Sequence, residues 1–285
     1  MQIHTSGTEM RQQLQAWRLQ GERIALVPTM GNLHAGHLQL VQRAKASAER
    51  VVVSIFVNPL QFEPGSDYAE YPRTLEADQQ QLQQRGVDLL FVPTVEALYP
   101  NGLAGLAQLT KVVVPELSDI LCGEFRPGHF VGVTTVVCKL LNWVQPDVAV
   151  FGQKDYQQLL LIRKMVADLN LPVHILSEPI VREADGLAMS SRNQYLSAEQ
   201  RPVAAQIYAE LSRLAAQLPA DWMNQAAHLQ QARHNLQQAG FQLDYCELRE
   251  AQTLQPLTAS CRQGIVLIAA RLGRTRLIDN QIVVI

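Results

Sequence analysis

The sequence lacks an excess of either charge and any long apolar run, and both absences restrict its function. Lysine and arginine number 24 against 26 aspartates and glutamates, a net charge of −2. This balance predicts no basic face for nucleic acid or for an anionic membrane. No apolar run reaches the roughly 18 residues that cross a bilayer. Residues 1–5 contain no basic stretch followed by an apolar one, so we expect no secretory signal and a cytoplasmic location.

Paired cysteines are also lacking. The four cysteines, Cys122, Cys138, Cys246 and Cys261, are widely scattered and form no CxxC pair. Scattered cysteines in a chain without a secretory signal are typical of reduced thiols in a protein core. The 16 glycines and 14 prolines exclude a collagen-like or low-complexity chain. The length of 285 residues allows one large domain or two modest ones.

Short apolar runs alternate with segments of helical spacing in the first part of the chain. Five runs predict buried strands, at residues 23–28, 51–57, 88–93, 147–152 and 172–177. Four other segments predict helices, at residues 37–48, 75–85, 132–143 and 155–169. Strands that alternate with helices form right-handed βαβ units, so we predict an α/β domain with a parallel sheet over residues 1–180. Residues 94–130 give no clear pattern.

The pattern changes after Arg192. Residues 197–200 resemble a capping box at the start of a long helix, and a second helix is predicted to end near residue 238. Residues 241–248, 264–270 and 276–285 predict strands. We therefore predict a smaller α+β domain over residues 181–285.

A His-Ala-Gly-His segment at residues 34–37 lies between a predicted strand and a predicted helix. Ligands bind beyond the carboxyl ends of the strands of a parallel sheet, and the N-terminus of a helix attracts phosphate. Gly36 would let a nucleotide approach the backbone closely. His34 and His37 could therefore face a phosphate, although a metal site or a structural role is also open. The HExxH pattern of zinc enzymes is absent.

Three further segments carry groups suited to anions or to a polar substrate. Residues 188–193, at the predicted domain junction, combine two serine hydroxyls with Arg192, whose guanidinium fits phosphate oxygens. The alternative is a polar surface loop that caps the next helix. Lys154 follows the fourth predicted strand and could neutralise a phosphate. Gln61 follows the second predicted strand and could donate to a carboxylate or hydroxyl; ordinary loop polarity is its alternative.

Together these segments resemble the pantothenate synthetases, which are pantoate–β-alanine ligases. The matching stretches are residues 28–37, 54–62, 71–74, 126–130, 151–155 and 189–193. A wider superfamily of nucleotidyltransferases and tRNA synthetases shares the His-x-Gly-His portion, but Asn-Pro-x-Gln-Phe at residues 58–62 and Met-Ser-Ser-Arg at residues 189–192 narrow the resemblance to this family. One departure is Gln153, where many members have glutamate.

The resemblance implies a reaction in two steps. The carboxylate of pantoate attacks the α-phosphorus of ATP to give pantoyl adenylate and pyrophosphate, and the amine of β-alanine then displaces AMP to give pantothenate. It also implies a Rossmann-like N-terminal domain for ATP and pantoate, a smaller C-terminal lid domain, Mg²⁺ and a homodimer. It leaves open the group that deprotonates the amine and the role of residues 126–130.

The resemblance also implies individual roles. The catalytic residues that it implies are His37, as the proton donor, His34, Lys154 and Arg192. The ATP site would comprise Met30, Gly31, Asn32, Leu33, His34, Ala35, Gly36, His37, Gly152, Gln153, Lys154, Asp155, Val181, Met189, Ser190, Ser191 and Arg192. Gln61, Gln158, Pro28 and Met30 would bind pantoate and β-alanine, and Asp78 would lie near Mg²⁺.

Three other functions compete with this hypothesis. A different adenylyl- or cytidylyltransferase with the same histidine motif would release no pyrophosphate in response to pantoate. A fragment of a tRNA synthetase would need a basic surface, which the charge balance does not favour. A nucleotide-binding module without catalysis would bind ATP and leave it intact.

Overall fold

A computed structural model describes residues 1–62, 68–258 and 261–284. The chain divides into two compact units. The sheet unit comprises Met1–Gln153 and Leu161–Pro179, and the C-terminal unit comprises Lys154–Leu160 and Ile180–Ile285.

A six-stranded parallel sheet forms the centre of the sheet unit. Its strands are β1 (Gln2–His4), β2 (Ile24–Thr29), β3 (Arg50–Ile55), β4 (Leu89–Phe91), β5 (Val148–Gly152) and β6 (His174–Glu178). Their order across the sheet is β1-β4-β3-β2-β5-β6. This sheet confirms the predicted α/β class, and β2 to β6 correspond to the five predicted strands. Strand β1 was not predicted, because its residues Gln2, Ile3 and His4 form no apolar run.

Seven helices follow or precede these strands in the described part of the chain. They are α1 (Gly7–Leu19), α2 (Ala35–Lys45), α3 (Leu75–Gln84), α4 (Val95–Leu98), α5 (Cys122–Phe125), α6 (His129–Val144) and α7 (Tyr156–Asp168). Helix α7 starts in the C-terminal unit and continues into the sheet unit. The unpatterned stretch at residues 94–130 contains α4, α5 and a 3₁₀ segment, Leu103–Gln108, which are too short to show helical spacing.

Buried aliphatic side chains on the central strands explain the continuous apolar runs of the sequence. Ile24 and Leu26 of β2 and Val52 of β3 are fully buried. A strand of a parallel sheet is covered on both faces, so both sets of alternating side chains are apolar. The loops that carry the candidate residues follow the ends of these strands.

The C-terminal unit contains a three-stranded antiparallel sheet in the order β7-β8-β9. Its strands are β7 (Gln242–Glu250), β8 (Gln263–Leu272) and β9 (Thr275–Val284), and its helices are α8 (Gln200–Ala204), α9 (Gln206–Gln217) and α10 (Gln225–Gln238). Its core includes Ile207, Leu211 and Leu214 of α9 and the buried side chains of β8. The α+β prediction is therefore confirmed.

The predicted first helix of this unit is interrupted rather than continuous. Helix α8 ends at Ala204 and α9 begins at Gln206. The predicted capping box precedes α8: the Ser197 backbone N–H donates to Gln200 Oε1 over 3.1 Å, and the Gln200 backbone N–H donates to Ser197 Oγ over 3.2 Å. The two reciprocal bonds satisfy donors at the start of this helical segment.

The four cysteines are free. Burial raises the pKa of Cys246 to about 12, so this thiol stays protonated near neutral pH. The described helices include none that is long and apolar enough for a bilayer.

Candidate active site

The loop after β2 is held by its neighbours in the sheet unit. The Thr29 hydroxyl donates to the Ser54 carbonyl of β3 over 2.9 Å and accepts from the Gly31 backbone N–H over 3.2 Å. Gly31 has a φ of +80°. A Cβ there would lie 3.0 Å from both Asp78 Oδ2 and an Ile55 methyl carbon. Glycine at this position therefore allows both the turn and the close approach of the Asp78 carboxylate.

Asp78 braces the same loop from α3. Its carboxylate accepts from the Asn32 backbone N–H over 2.9 Å and from the Leu33 backbone N–H over 2.8 Å. The Thr74 hydroxyl lies 3.3 Å from Asp78 Oδ1. The side chain is 1% exposed. A buried carboxylate is stable only when its oxygens accept such bonds, so Asp78 and the loop backbone stabilise each other.

His34 and His37 form a reciprocal cap at the start of α2. The sequence analysis placed the helix start at His37, but α2 begins at Ala35, so His34 is the N-cap residue and His37 lies in the first turn. The Gly36 backbone N–H donates to His34 Nδ1 over 3.1 Å, and the His34 backbone N–H donates to His37 Nδ1 over 3.3 Å. The prediction was late because imidazole is not among the usual capping side chains.

This cap determines which nitrogen of each ring carries a proton. A nitrogen that accepts a hydrogen bond must present its lone pair, so each Nδ1 is unprotonated and each Nε2 carries the N–H. The two ring centroids lie 4.0 Å apart and the rings are tilted by 39°. The sheet unit therefore holds two imidazole rings close together at the N-terminus of a helix, a position that suits a phosphate group.

Gln61 lies in the 3₁₀ turn Pro59–Gln61 after β3, and its side chain is held at both ends. Its Nε2 lies 2.9 Å from Met30 Sδ, and its Oε1 accepts from Asn58 Nδ2 over 3.1 Å. Two of the predicted substrate-binding residues are thus in contact. Asn58 is 1% exposed, and its Oδ1 accepts from the Tyr99 hydroxyl over 2.7 Å. Burial raises the pKa of Tyr99, which keeps this phenol protonated as a donor.

Arg126 and His129 hold the backbone of the same turn. His129 Nδ1 lies 2.8 Å from the Gln61 carbonyl oxygen, and Arg126 donates to that oxygen over 3.3 Å. Arg126 and His129 also contact each other over 3.1 Å. The segment at residues 126–130 had no assigned role in the sequence analysis, and the structure connects it to Gln61.

The end of β5 carries two more predicted residues of the sheet unit. A Cβ at Gly152 would meet no atom within 4 Å, so the backbone there faces open space. Gln153 Nε2 donates to Ser177 Oγ of β6 over 3.2 Å. Pro28 pairs with Ser54 in the register of β2 and β3, one residue before the end of β2.

Lys154 lies in the C-terminal unit, where both its backbone and its side chain have partners. The Lys154 carbonyl accepts from Asn280 Nδ2 of β9 over 3.0 Å, and Lys154 Nζ lies 3.5 Å from Asp155 Oδ2. The side chain is 21% exposed. Gln158, four residues further along, is half-buried in the first turn of α7.

A hairpin at residues 181–189 leads into the predicted phosphate-binding serines. The Met189 backbone N–H donates to the Val181 carbonyl over 2.9 Å, and Arg182 pairs with Ala188 as an antiparallel bridge. Ser190 then caps a 3₁₀ segment, Ser191–Tyr195, by accepting from the Arg192 backbone N–H at its Oγ over 3.2 Å. The capping alternative considered in the sequence analysis thus describes a bond that Ser190 makes.

The candidate residues fall into two groups, one in each unit. The sheet unit carries Pro28, Met30, Gly31, Asn32, Leu33, His34, Ala35, Gly36, His37, Gln61, Asp78, Gly152 and Gln153, and the C-terminal unit carries Lys154, Asp155, Gln158, Val181, Met189, Ser190, Ser191 and Arg192. Within the sheet unit, the loops after β2, β3 and β5 lie at one edge of the sheet, because these three strands are parallel neighbours.

A built-in metal centre is not found among the described residues, which contain no group of three or more histidine, cysteine, aspartate or glutamate side chains suited to a metal. Asp78 was the predicted residue near Mg²⁺. Its two oxygens accept the bonds of the loop and it is almost fully buried, so it fits a direct ligand poorly in this conformation. Mg²⁺ in phosphate-transfer sites is commonly held by few protein groups together with substrate phosphates.

Comparisons with known proteins agree across nearly the whole chain. The family profile described as pantoate-beta-alanine ligase matches residues 2–282. A pantothenate synthetase of Pseudomonas fluorescens (strain Pf0-1) is 54% identical over 95% of this chain and 94% of its own. One of Pseudomonas aeruginosa (strain UCBPP-PA14) is 56% identical over 95% of both chains.

Solved structures give the same result. The pantothenate synthetase of Thermus thermophilus superposes with a TM-score of 0.90 at 44% identity and covers 99% of both chains. The pantoate-beta-alanine ligase of Francisella tularensis, complexed with β-γ ATP and β-alanine, superposes with a TM-score of 0.82 at 35% identity and covers 99% of this chain and 97% of its own. By its sequence, its fold and the motifs assembled in its two units, this chain belongs to the pantoate–β-alanine ligase family.

Proposed function

We propose that the chain joins pantoate to β-alanine at the expense of ATP, through pantoyl adenylate, with release of pyrophosphate and AMP. The observation that carries this proposal at the site is the reciprocal His34–His37 cap, which orients two Nε2–H donors at the start of α2. The family match supplies the substrates, since the Francisella tularensis relative was solved with β-γ ATP and β-alanine.

In the first step a carboxylate oxygen of pantoate attacks the α-phosphorus of ATP. A new P–O bond forms, the bond to the bridging oxygen breaks, and pyrophosphate leaves with the electron pair. A carboxylate is ionised at neutral pH, so this step needs no general base. It needs positioning and compensation of the negative charge that develops on the phosphate oxygens.

The residues of the sheet unit suit the reacting end of this step. His34 and His37 would donate from Nε2 to phosphate oxygens, with His37 the principal donor at the reacting phosphate. The backbone at Gly31, Asn32, Leu33, Ala35 and Gly36 would approach the nucleotide, as would Gly152 and Gln153. Gln61 would bind pantoate through its amide, and Pro28 and Met30 would contact its gem-dimethyl group. An amide binds a hydroxy acid without neutralising the attacking carboxylate as an arginine would.

The residues of the C-terminal unit suit the anionic tail of ATP. Lys154, Ser190, Ser191 and Arg192 would bind the β- and γ-phosphates, because ammonium, hydroxyl and guanidinium groups are all donors. Asp155, Val181 and Met189 would line the nucleotide site and Gln158 would bind pantoate. We propose that residues 1–180 serve as the domain for ATP and pantoate and residues 181–285 as a lid that excludes water from the adenylate.

In the second step the amine of β-alanine attacks the acyl carbon of the adenylate. A C–N bond forms, the C–O bond to the phosphate breaks, AMP leaves, and the nitrogen loses one proton to solvent or to a group in the site and keeps the other as the amide N–H. The AMP oxygen is a good leaving group, so the main requirement is a neutral, oriented amine.

Three further properties complete the proposal. Mg²⁺ would bind mainly through the phosphates of ATP and supply charge compensation there, with Asp78 acting on the loop beside it rather than as a direct ligand. A homodimer follows from the family resemblance. A cytoplasmic location is supported by four free cysteines, which suit a reducing compartment.

The test measures pyrophosphate and AMP from ATP with pantoate and β-alanine added singly and together. We expect pantoate alone to give about one equivalent of pyrophosphate per site, because the adenylate stays bound. We expect continuous AMP release only with both substrates. A different nucleotidyltransferase would give no pantoate-dependent pyrophosphate, and a non-catalytic nucleotide-binding module would leave ATP intact; either result would refute the proposal.

A further inference from the structure

Two polar residues lie side by side in β9, in a part of the chain where the sequence analysis found no functional motif. Asp279 is 4% exposed and Asn280 is 6% exposed. Burial of a carboxylate or an amide is costly unless its atoms are hydrogen-bonded, so such residues persist in a strand only with specific partners. The partners of both residues lie next to the proposed phosphate-binding groups of the C-terminal unit.

Asp279 is bound to the hairpin at residues 181–189. Its carboxylate accepts from Arg182 over 2.6 and 3.0 Å, a bidentate arrangement. Arg182 also donates to the Gly186 carbonyl over 3.0 Å, and its guanidinium lies 3.9 Å from the ring centre of Tyr208. Arg182 thus spans the hairpin from its base to its tip, and Asp279 fixes the orientation of Arg182.

The hairpin leads directly into Ser190. The Met189 backbone N–H is bonded to the Val181 carbonyl, so the residue before Ser190 is part of the hairpin ladder. Any rotation of the hairpin would carry the serines and Arg192 with it.

Asn280 is bound to the other phosphate-binding segment. Its Nδ2 donates to the Lys154 carbonyl over 3.0 Å. This bond fixes the backbone from which the lysine side chain extends and leaves the ammonium group unchanged. The Asn280 backbone N–H also donates to Asp279 Oδ1 over 2.8 Å, which couples the two residues.

We propose that Asp279 and Asn280 are positioning residues for ATP: together they hold Lys154 and the Ser190–Arg192 segment in the mutual arrangement that the β- and γ-phosphates require. This inference rests on the proposed function of those two segments. It assigns a role in catalysis to β9, which carries none of the motifs of the family resemblance.

The C-terminal unit offers a matched control for a purely structural role. Asp244 of β7 pairs with Arg276 of β9 over 2.7 Å, and both side chains are about as buried as the Arg182–Asp279 pair, at 11% and 12% exposure. No hydrogen bond or ion pair described here connects Asp244 to Lys154 or to the hairpin. Asp279→Asn and Asp244→Asn both replace a buried aspartate that pairs with arginine, and Asp244 also lies 3.9 Å from Arg271. The two aspartates differ in that Asp279 is bonded to the hairpin that leads into the proposed phosphate-binding serines.

The experiment measures KM for ATP, KM for pantoate, kcat and the thermal unfolding midpoint for four variants. These are Asp279→Asn, Asn280→Leu, Asp244→Asn and, as a reference, Lys154→Ala. We expect Asp279→Asn and Asn280→Leu to raise KM for ATP about 10-fold or more, toward the roughly 100-fold effect of a misplacement of about 1 Å. KM for pantoate should stay within about twofold, and Asp244→Asn should alter stability alone.

Asn280→Leu in a Lys154→Ala background gives the second readout. Because Asn280 acts through Lys154, Asn280→Leu should raise KM for ATP by a much smaller factor in the Lys154→Ala variant than in the wild type. Full additivity would overturn the role of Asn280. Equal changes of KM for ATP in Asp279→Asn and Asp244→Asn would overturn the role of Asp279. If Asp279→Asn does not fold, Asn280→Leu decides the outcome by itself.

Failure of the proposed function gives a different result. A Lys154→Ala variant with an unchanged KM for ATP would reject the phosphate-binding role of Lys154, and with it this inference. If Lys154→Ala raises KM for ATP while the Asp279 and Asn280 variants leave it unchanged, only this inference is rejected and the proposed function stands.

Discussion

Each imidazole at the start of α2 makes a structural hydrogen bond through Nδ1 and is proposed to donate a second one, through Nε2, to a phosphate oxygen. The Nδ1 atoms of His34 and His37 accept backbone N–H groups, which stabilises the helix start. The same bonds orient the rings and leave the N–H on Nε2. A substitution at His37 therefore affects both stability and activity, and the two effects have to be separated.

Two variants of His37 separate them. His37→Ala removes both contributions and should lower the single-turnover rate of adenylate formation about 100-fold or more, the effect of losing one transition-state donor. His37→Glu keeps an acceptor for the capping bond, because glutamate is the usual third-position residue of a capping box. It should unfold closer to wild type than His37→Ala, yet react at least as slowly. If His37→Glu regained activity along with stability, the ring would be only structural.

Asp78 illustrates how a residue predicted to lie near a metal ion can act on the backbone. We expect Asp78→Asn to destabilise the protein by about 1–3 kcal/mol, because an amide N–H₂ would face a buried backbone donor in place of a carboxylate oxygen. Urea unfolding in EDTA and in Mg²⁺ measures this loss. The same loss in both solutions fits a brace for the loop, whereas a loss that appears only with Mg²⁺ would identify a direct metal ligand.

At the scale of elements, the turn Pro59–Gln61 is held by helix α6 and by Tyr99, the residue that follows α4. Asn58 is bonded to the Gly132 carbonyl of α6 and to the Tyr99 hydroxyl, and residues at the start of α6 hold the Gln61 carbonyl. Helix α6 passes so close that a Cβ at Gly132 would lie 2.3 Å from the Leu60 carbonyl oxygen. The position of the glutamine therefore depends on a helix about seventy residues later in the chain.

Gly132→Ala tests this dependence. The added methyl group must push the turn away, so we expect a loss of stability of about 1–3 kcal/mol. KM for pantoate should rise more than KM for ATP, since the displaced turn carries Gln61. Asn142→Ala, at an exposed position of the same helix, serves as the control. Equal rises of both KM values in Gly132→Ala would mean that the turn does not discriminate between the substrates.

Element boundaries follow from the sequence only where a period extends over several turns or pleats. Strands β2, β3, β5 and β6 and helix α3 are of this kind. Strands β1 and β4 have three residues each, and only β4 lies within an apolar run. The break at Ala205 between α8 and α9 falls inside an unbroken helical pattern. The start of α2 was predicted two residues late because imidazole is an unusual capping side chain and Gly36 disfavours a helix.

At the scale of the whole molecule, motifs predict the two groups of candidate site residues but not what supports them. His34, His37, Lys154 and Arg192 occur in short, recognisable stretches. Their supports do not, since Asn280 and Lys154 are 126 residues apart and Asp279 and Arg182 are 97 apart. Pairings over such separations arise from the packing of the folded chain, which local spacing does not encode. Strand β9 gives little local signal for Asp279 and Asn280, because half of its ten residues are polar.

The assembly of the protein gives a prediction at this scale. We expect sedimentation equilibrium to give about twice the mass of one chain, because the family resemblance implies a homodimer. A single-chain mass at concentrations of about 10 μM would contradict this expectation.

The balanced charge also predicts no retention of tRNA in a gel-shift assay at physiological salt.

The edge strand β1 has a practical consequence for attachment of the protein to a surface. It pairs in parallel with β4 through Gln2 and Leu89, so its first residue lies at the amino edge of the sheet, opposite the edge that carries the loops after β2, β3 and β5. A tether joined ahead of Met1 would leave from that far side. Immobilised through such a tether, the sheet unit would present the loops proposed to contact the nucleotide to the solution, which suits this point of attachment for biosensor chips and for ligand-capture columns.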